Sequence, residues 1–216
     1  MSKVKYKEDK IIYKLLNNKI VVFLSNFIFQ GIRYMSFGEK IYKISITILF
    51  AFVFHFVIQN WIIDLFLGHL INYIFNGQFY VVYRYLTSNE VITKEKLLDF
   101  INEIERNIKF FKPLDVLIIG SFSRSKMSKT SDLDIRIYHD NNFVSSLKAY
   151  IMATKLRFLG LVKQFPIDVY CFSDMKFMDK IRKDEVPVNF LKNKEVLKKY
   201  PSSPNIKEHL KKLEFK

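Results

Sequence analysis

The stretch DVLIIGSFSRSKMSKTSDLD, Asp115 to Asp134, decides the fold of this chain. It begins with an apolar run, passes through a glycine-serine turn and a polar loop, and ends on a run of alternating character. Because alternation with period two is typical of a strand, Asp132 and Asp134 are predicted to point to one face of it. Two carboxylates held side by side on a strand repel each other unless a cation lies between them. The pair therefore predicts a site for Mg²⁺, which binds one or two protein carboxylates together with substrate phosphates.

The loop before this pair carries groups suited to phosphate. Gly120 lets the backbone approach a ligand closely, and Ser121 offers a hydroxyl and a backbone N–H. Arg124 can form two parallel hydrogen bonds to phosphate oxygens. A third acid, Asp168, stands alone in the later apolar run FPIDVYCF (165–172), where a shared metal would supply its partner. The alternative is a surface turn holding two aspartates and an unrelated acid in a strand.

These residues together resemble the DNA polymerase β-like nucleotidyltransferase superfamily. The likeness is greatest to its minimal nucleotidyltransferases, whose motif is Gly-Ser-x-x-Arg-Gly followed by Ser-Asp-x-Asp. Here GSFSR stands at residues 120–124 and SDLD at 131–134, and the resemblance extends over residues 94–172. One position departs from the motif, because Ser125 follows the arginine where the family has glycine.

The resemblance implies an α/β (α+β) domain with a small mixed sheet and helices on one face. It implies that three acids ligate Mg²⁺ and carry catalysis: Asp132, Asp134 and Asp168. Asp168 would also help to activate the acceptor hydroxyl. A nucleoside triphosphate such as ATP would be held by Gly120, Ser121, Arg124 and Ser131.

An N-terminal apolar region predicts membrane association. Residues 44–63 and 65–83 are free of Asp, Glu, Lys and Arg, and the first of these runs has the length of a membrane helix. They predict a helical hairpin that turns near residues 60–64 and places Asp64 at the far surface. Basic residues on both flanks favour a cytoplasmic location for both, including the catalytic part. The alternatives are a single pass with the N-terminus outside, and a very hydrophobic helix buried in a soluble core.

The sequence thus divides into a basic N-terminal segment (1–43), membrane helices (44–86), a nucleotidyltransferase domain (90–190) and a basic C-terminal tail (191–216). A polar stretch at residues 87–90 marks the boundary before the domain. The formal net charge of +14 favours anionic partners. A single cysteine, Cys171, excludes an internal disulfide and is typical of a reducing compartment.

The leading hypothesis is a membrane-tethered enzyme that moves a nucleoside monophosphate from an NTP to a hydroxyl acceptor. The acceptor is left open among a small molecule, a lipid-linked glycan and a protein. One alternative is an antitoxin-type AMP-transferase acting on a protein, and another is a non-catalytic nucleotide-binding membrane scaffold. Nucleic acid is a disfavoured partner because no second DNA-gripping domain is visible. A chain with so small a core is also a candidate homodimer.

Overall fold

The computed structural model describes residues 18–77, 79–87, 92–182 and 184–213. Residues 1–17 of the basic N-terminal segment, the polar boundary at 88–90 and the last residues of the C-terminal segment, 214–216, lie outside the described residues. The first helices are α1 (Lys19–Phe29), α2 (Phe37–Ile58), α3 (Trp61–Asn76) and α4 (Phe79–Thr87). A short 3₁₀ turn, Ile32–Tyr34, joins α1 to α2.

Helices α2 and α3 form an antiparallel hairpin that turns at Gln59 and Asn60. The Asn60 side chain caps α3 by accepting hydrogen bonds from the two backbone N–H groups of Ile62 and Ile63. Asp64 does not lie at the far surface as predicted. It is fully buried between the two helices, with Oδ2 at 2.7 Å from Nδ1 of His55.

The second apolar stretch is not one continuous helix. Helix α3 ends at Gly77, where an added Cβ would lie 2.2 Å from the carbonyl oxygen of Tyr73. Only α2, among the described parts of the chain, is long and apolar enough to cross a membrane. Just 11% of its most apolar window is buried, which is unlike the core helix of a soluble protein.

The mixed α/β domain follows. Its elements are α5 (Lys94–Phe111), β1 (Asp115–Ile119), α6 (Gly120–Ser123), β2 (Leu133–Tyr138), α7 (Phe143–Val162), β3 (Ile167–Phe172), a 3₁₀ helix (Met175–Lys180), β4 (Val188–Asn189), α8 (Lys194–Lys199) and α9 (Ile206–Lys212). The four strands form one sheet in the order β3-β2-β1-β4. Strand β1 is antiparallel to β2 and β4, whereas β2 and β3 are parallel.

Two long helices cover one face of this sheet. Helix α5 begins after Thr93, whose hydroxyl accepts from the backbone N–H of Lys96, and it buries an apolar stripe that includes Leu97 and Ile104. Helix α7 continues past Gly160 to Val162. An added Cβ at Gly160 would lie 2.9 Å from Ile167, so this glycine allows α7 to approach β3 closely.

The other face is partly covered, so the prediction of helices on one face only was wrong. Tyr138 and Phe172, at the far ends of β2 and β3, pack with Met178 of the 3₁₀ helix and Val196 of α8. The opposite ends of β2 and β3 keep some exposure, and these ends carry the predicted catalytic acids.

The C-terminal segment is not a free tail in the part that the structure describes. Ile206 and Leu213 are buried in the main core, and α9 carries a capping box formed by Asn205 and Glu208. Strand β4 also extends the sheet beside β1. The packed domain therefore continues beyond the boundary predicted at residue 190.

Candidate active site

Two of the predicted acids are direct neighbours in the sheet. Asp134 of β2 and Asp168 of β3 are register partners in a parallel pair, so their side chains point to the same face. Their side chains are 19% and 20% exposed. Both carboxylates are held in fixed positions, because the backbones of β2 and β3 are joined by the hydrogen bonds of the sheet.

Gly120 lies against the carboxylate of Asp134, at the end of β1. It follows Ile119, the register partner of Asp134 in the antiparallel pair of β1 and β2. An added Cβ at Gly120 would lie 2.2 Å from Oδ2 of Asp134, and the backbone there has a left-handed φ of 76°. Glycine is therefore required both by the conformation and by the close approach to the carboxylate.

The corner formed by Gly120, Asp134 and Asp168 disfavours the ionised form of both acids. Burial, followed by the neighbouring charge of Asp168, raises the pKa of Asp134 to about 7. Burial raises the pKa of Asp168 as well, and the charge of Asp132 contributes to both increases. Asp132 is therefore within electrostatic range of the pair, at the start of β2.

A basic residue that the sequence analysis missed lies beside the two acids. Nη2 of Arg136 is 3.8 Å from Oδ1 of Asp134 and 3.9 Å from Oδ2 of Asp168. Its Nη1 donates to the backbone carbonyl of Asp168 at 3.1 Å, and its guanidinium lies 4.8 Å from the ring centre of Tyr170. Arg136 follows Asp134 by two residues on a strand, so period two alone could have placed it on this face.

The loop between β1 and β2 contains one unsatisfied hydroxyl. Oγ of Ser121 is buried and has no hydrogen-bond partner within the described residues. Such a group, directly after Gly120, fits a site that is completed by a ligand. Ser131 is engaged within the loop instead, because its Oγ accepts from the backbone N–H of Ser128 at 3.0 Å.

The departure from the family motif has a structural consequence. Ser125 adopts a left-handed φ of 52°, the conformation that glycine adopts without strain. Its backbone N–H donates to Phe122, and the next N–H, from Lys126, donates to Ser121. The loop thus has a glycine-type geometry at this position although a serine occupies it.

Comparison with known proteins gives one family match. Residues 94–197 match the nucleotidyltransferase domain family. The matched residues, just under half of the chain, fit the polymerase β-like nucleotidyltransferase superfamily. No curated protein and no solved structure matched the chain. The family implies a nucleotide substrate and transferase activity in general terms.

The side chains of the nucleotidyltransferase domain supply only part of the ligand set that a divalent cation needs. Among the described residues, no three His, Cys, Asp or Glu side chains gather closely enough to hold a metal ion. Asp134 and Asp168 nevertheless form a rigid carboxylate pair whose charges repel each other. Two carboxylates and the phosphates of a nucleotide are a sufficient set of ligands for Mg²⁺. The donor set therefore fits a metal that is shared with the substrate.

The predicted phosphate ligand Arg124 has a protein partner in the nucleotidyltransferase domain. Nη1 of Arg124 forms an ion pair with Oε1 of Glu185, whose carboxylate is largely buried. The structure therefore does not present Arg124 as an unpaired cation, and a phosphate would compete with Glu185 for it.

Two further residues support the site from distant parts of the chain. Arg84 of α4 donates to the carbonyl of Lys129 at 2.8 Å and to that of Ser131 at 3.3 Å, so it holds the loop that precedes Asp132. His209 of α9 is buried, and its Nε2–H donates to the carbonyl of Phe122 at 2.7 Å. The sequence carried no signal for either residue, because both act through long-range contacts to backbone carbonyls.

Proposed function

We propose that this protein is a membrane-associated nucleotidyltransferase that moves a nucleoside monophosphate from an NTP to a hydroxyl acceptor. The observation that carries the proposal is the corner formed by Gly120, Asp134 and Asp168. The family match supports the general reaction, and the geometry of this corner supports its location at these three residues.

The protein residues divide the work between binding and proton transfer. We assign Gly120 and the hydroxyl of Ser121 to the triphosphate, since that hydroxyl has no hydrogen-bond partner in the part of the chain that the structure describes. We assign Asp134 and Asp168 to Mg²⁺, with Asp132, whose charge acts on both of them, as the third carboxylate that would ligate the cation. When bound, Mg²⁺ would neutralise negative charge on the reacting phosphate oxygens.

The reaction exchanges one phosphate ester bond for another. The acceptor oxygen forms a bond to the α-phosphorus, and the bond from that phosphorus to the bridging oxygen of pyrophosphate breaks. Asp168 receives the proton of the acceptor hydroxyl at its carboxylate, since it is the acid that neighbours Asp134 on the same face of the sheet. Arg136 lies beside both acids and offsets the negative charge that remains in the site.

The membrane part of the proposal is supported by the exposed face of the hairpin. Side chains along α2 and α3 that are at least half exposed include Ile48, Phe52, Val53, Phe56 and Phe66. Leaving this much contiguous apolar surface in water is unfavourable, whereas lipid would cover it. A membrane-bound enzyme has ready access to acceptors at the membrane, so a hydroxyl on a lipid-linked molecule is the acceptor class that location favours.

Transfer of label from α-³²P-labelled NTPs tests this function. The protein in detergent is incubated with Mg²⁺ and with separate membrane and cytosol fractions as acceptor sources. We expect label in lipid or glycan with the wild type, and loss of that label in Asp134→Asn. Asp140→Asn, an exposed carboxylate beyond the end of β2, is the matched control and should retain activity.

The outcomes separate the three functions. Label on a protein band would favour protein AMP-transfer. No transfer to any fraction, with nucleotide binding intact, would refute the enzyme and leave a nucleotide-binding scaffold.

A further inference from the structure

Arg136 holds a positive charge at a fixed position beside the two acids of the corner. Its side chain is 11% exposed, and Nη2 lies 3.8 Å from Oδ1 of Asp134 and 3.9 Å from Oδ2 of Asp168. These distances are longer than a hydrogen bond, so the guanidinium acts on both acids through its charge. Arg136 therefore does not itself take up a carboxylate oxygen that a cation needs.

The guanidinium cannot turn away from the acids without losing other contacts. Nη1 donates to the backbone carbonyls of Ile135 at 2.9 Å and of Asp168 at 3.1 Å. The guanidinium carbon lies 4.8 Å from the centre of the Tyr170 ring, which is the position of a cation–π contact. Because partners on both β2 and β3 hold the side chain, its positive charge is a lasting part of the corner.

This charge acts differently on the two forms in which a divalent cation can arrive. When both acids are ionised they bring two negative charges, and Arg136 offsets one of them. A free cation is attracted by the acids and repelled by Arg136. A metal–nucleotide complex carries net negative charge, because a triphosphate has more negative charge than one divalent cation offsets. Arg136 therefore attracts the complex and repels the free cation.

We propose that Arg136 is a specificity-determining residue that makes the corner select the metal–nucleotide complex over the free divalent cation. This role depends on the function proposed above, which assigns a divalent cation to the corner. Without Arg136 the corner would be a pair of like charges, the arrangement that a free cation relieves most. With Arg136 the pair is partly neutralised, and tight binding requires the further oxygen ligands that a triphosphate brings.

The selection has a consequence for catalysis. A cation bound to the acids by itself would keep water at the positions that phosphate oxygens take in the reaction. Mg²⁺ gives up its water reluctantly, so such an ion would delay the entry of the substrate. A corner that favours the complex receives the cation with its phosphate ligands already in place.

A purely structural role for Arg136 predicts a different pattern. Loss of its contacts to Asp168 and Tyr170 would loosen β3, an edge strand of the sheet, and would weaken the binding of both forms of the cation. Loss of the charge from an intact corner moves the two affinities in opposite directions. The direction of the two changes therefore distinguishes a charge effect from a packing effect.

Binding of Mn²⁺ to the protein in detergent tests the proposal without any turnover. Isothermal titration calorimetry gives the dissociation constants of Mn²⁺ alone and of Mn²⁺ tripolyphosphate, which carries the charged group common to all nucleoside triphosphates. Arg136→Gln removes the charge and keeps a donor for the carbonyl of Asp168, whereas Arg136→Lys keeps the charge. Arg106→Gln, on α5 with a side chain that is 71% exposed, is the matched control for the loss of one positive charge.

We expect Arg136→Gln to bind free Mn²⁺ at least about tenfold more tightly than the wild type, and Mn²⁺ tripolyphosphate at least about tenfold more weakly, because a unit charge at this range acts on both. Arg136→Lys and Arg106→Gln should remain within a few-fold of the wild type for both ligands. The wild type itself should bind Mn²⁺ tripolyphosphate more tightly than free Mn²⁺.

A change of both affinities in the same direction in Arg136→Gln, or no change in either, would overturn the proposal. Tighter binding of free Mn²⁺ than of the complex by the wild type would overturn it as well, and this comparison decides the matter if the glutamine variant does not fold. Asp134→Asn separates this result from the proposed function. Mn²⁺ binding that is unchanged in Asp134→Asn would refute the metal site itself, whereas binding that is lost there but unaltered in Arg136→Gln would refute only the role of Arg136.

Discussion

Replacing Gly120 by alanine should separate catalysis from folding. An alanine Cβ would lie 2.2 Å from Oδ2 of Asp134, and contacts under 3.0 Å are essentially never seen, so the carboxylate must move by at least about 0.8 Å. A misplacement of about 1 Å in a catalytic group costs on the order of 100-fold in rate. The left-handed backbone adds a folding cost of about 1–2 kcal/mol, which lowers Tm by roughly 2–8 °C for a chain of this size.

The assay compares kcat/KM for nucleotide transfer with Tm from circular dichroism. Gly38→Ala is the matched control, because its Cβ would crowd the hydroxyl of Tyr150 at 2.3 Å but lies away from the acids. We expect Gly38→Ala to keep its activity within a few-fold of the wild type. A folded Gly120→Ala protein with wild-type activity would refute the contact between Gly120 and the catalytic carboxylate.

Three further changes test other parts of the structure. Ser125→Gly should raise the free energy of unfolding by roughly 0.5–1 kcal/mol in urea titrations, because glycine relieves the left-handed strain while giving back some chain entropy; a loss of stability would contradict the strain. Arg157→Met should cost about 3–5 kcal/mol by leaving Glu39 buried and unpaired, and the double change with Glu39→Leu should recover more than half of it; a double variant no more stable than the single one would contradict the pairing. Burial lowers the pKa of His209 below 6.5, so the stability it supports is present above that value and is lost as the pH falls through the lowered pKa. His209→Gln should therefore lose less stability between pH 7 and pH 5 than the wild type, and an equal loss would show that His209 does not titrate in this way.

The sheet and its acids were within reach of sequence reasoning because strand periodicity is local. Period two indicates the face of β2 on which Asp134 lies, and the apolar spacing of residues 97–111 is typical of a helix that begins after Thr93. The same rule would have placed Arg136 beside the acids. Strand β4 could not be predicted, since two residues carry no period and its pairing with β1 spans about 70 positions of the chain.

The remaining features depend on contacts between distant segments. The burial of Asp64 depends on His55 across the hairpin. Arg124 was a sound candidate for phosphate by type, but Glu185, 61 residues away, occupies it. Charged residues are especially hard to place from sequence, because their partners decide whether they are buried.

The central claim is transfer of a nucleoside monophosphate at the corner of Gly120, Asp134 and Asp168. Parallel reactions with α-³²P-labelled and γ-³²P-labelled NTP test it most directly, with the wild type beside Asp134→Asn. The account predicts that α-label enters the acceptor, that γ-label leaves as pyrophosphate, and that both signals are lost in the variant. Entry of γ-label into the acceptor, or α-label transfer that survives Asp134→Asn, would contradict it.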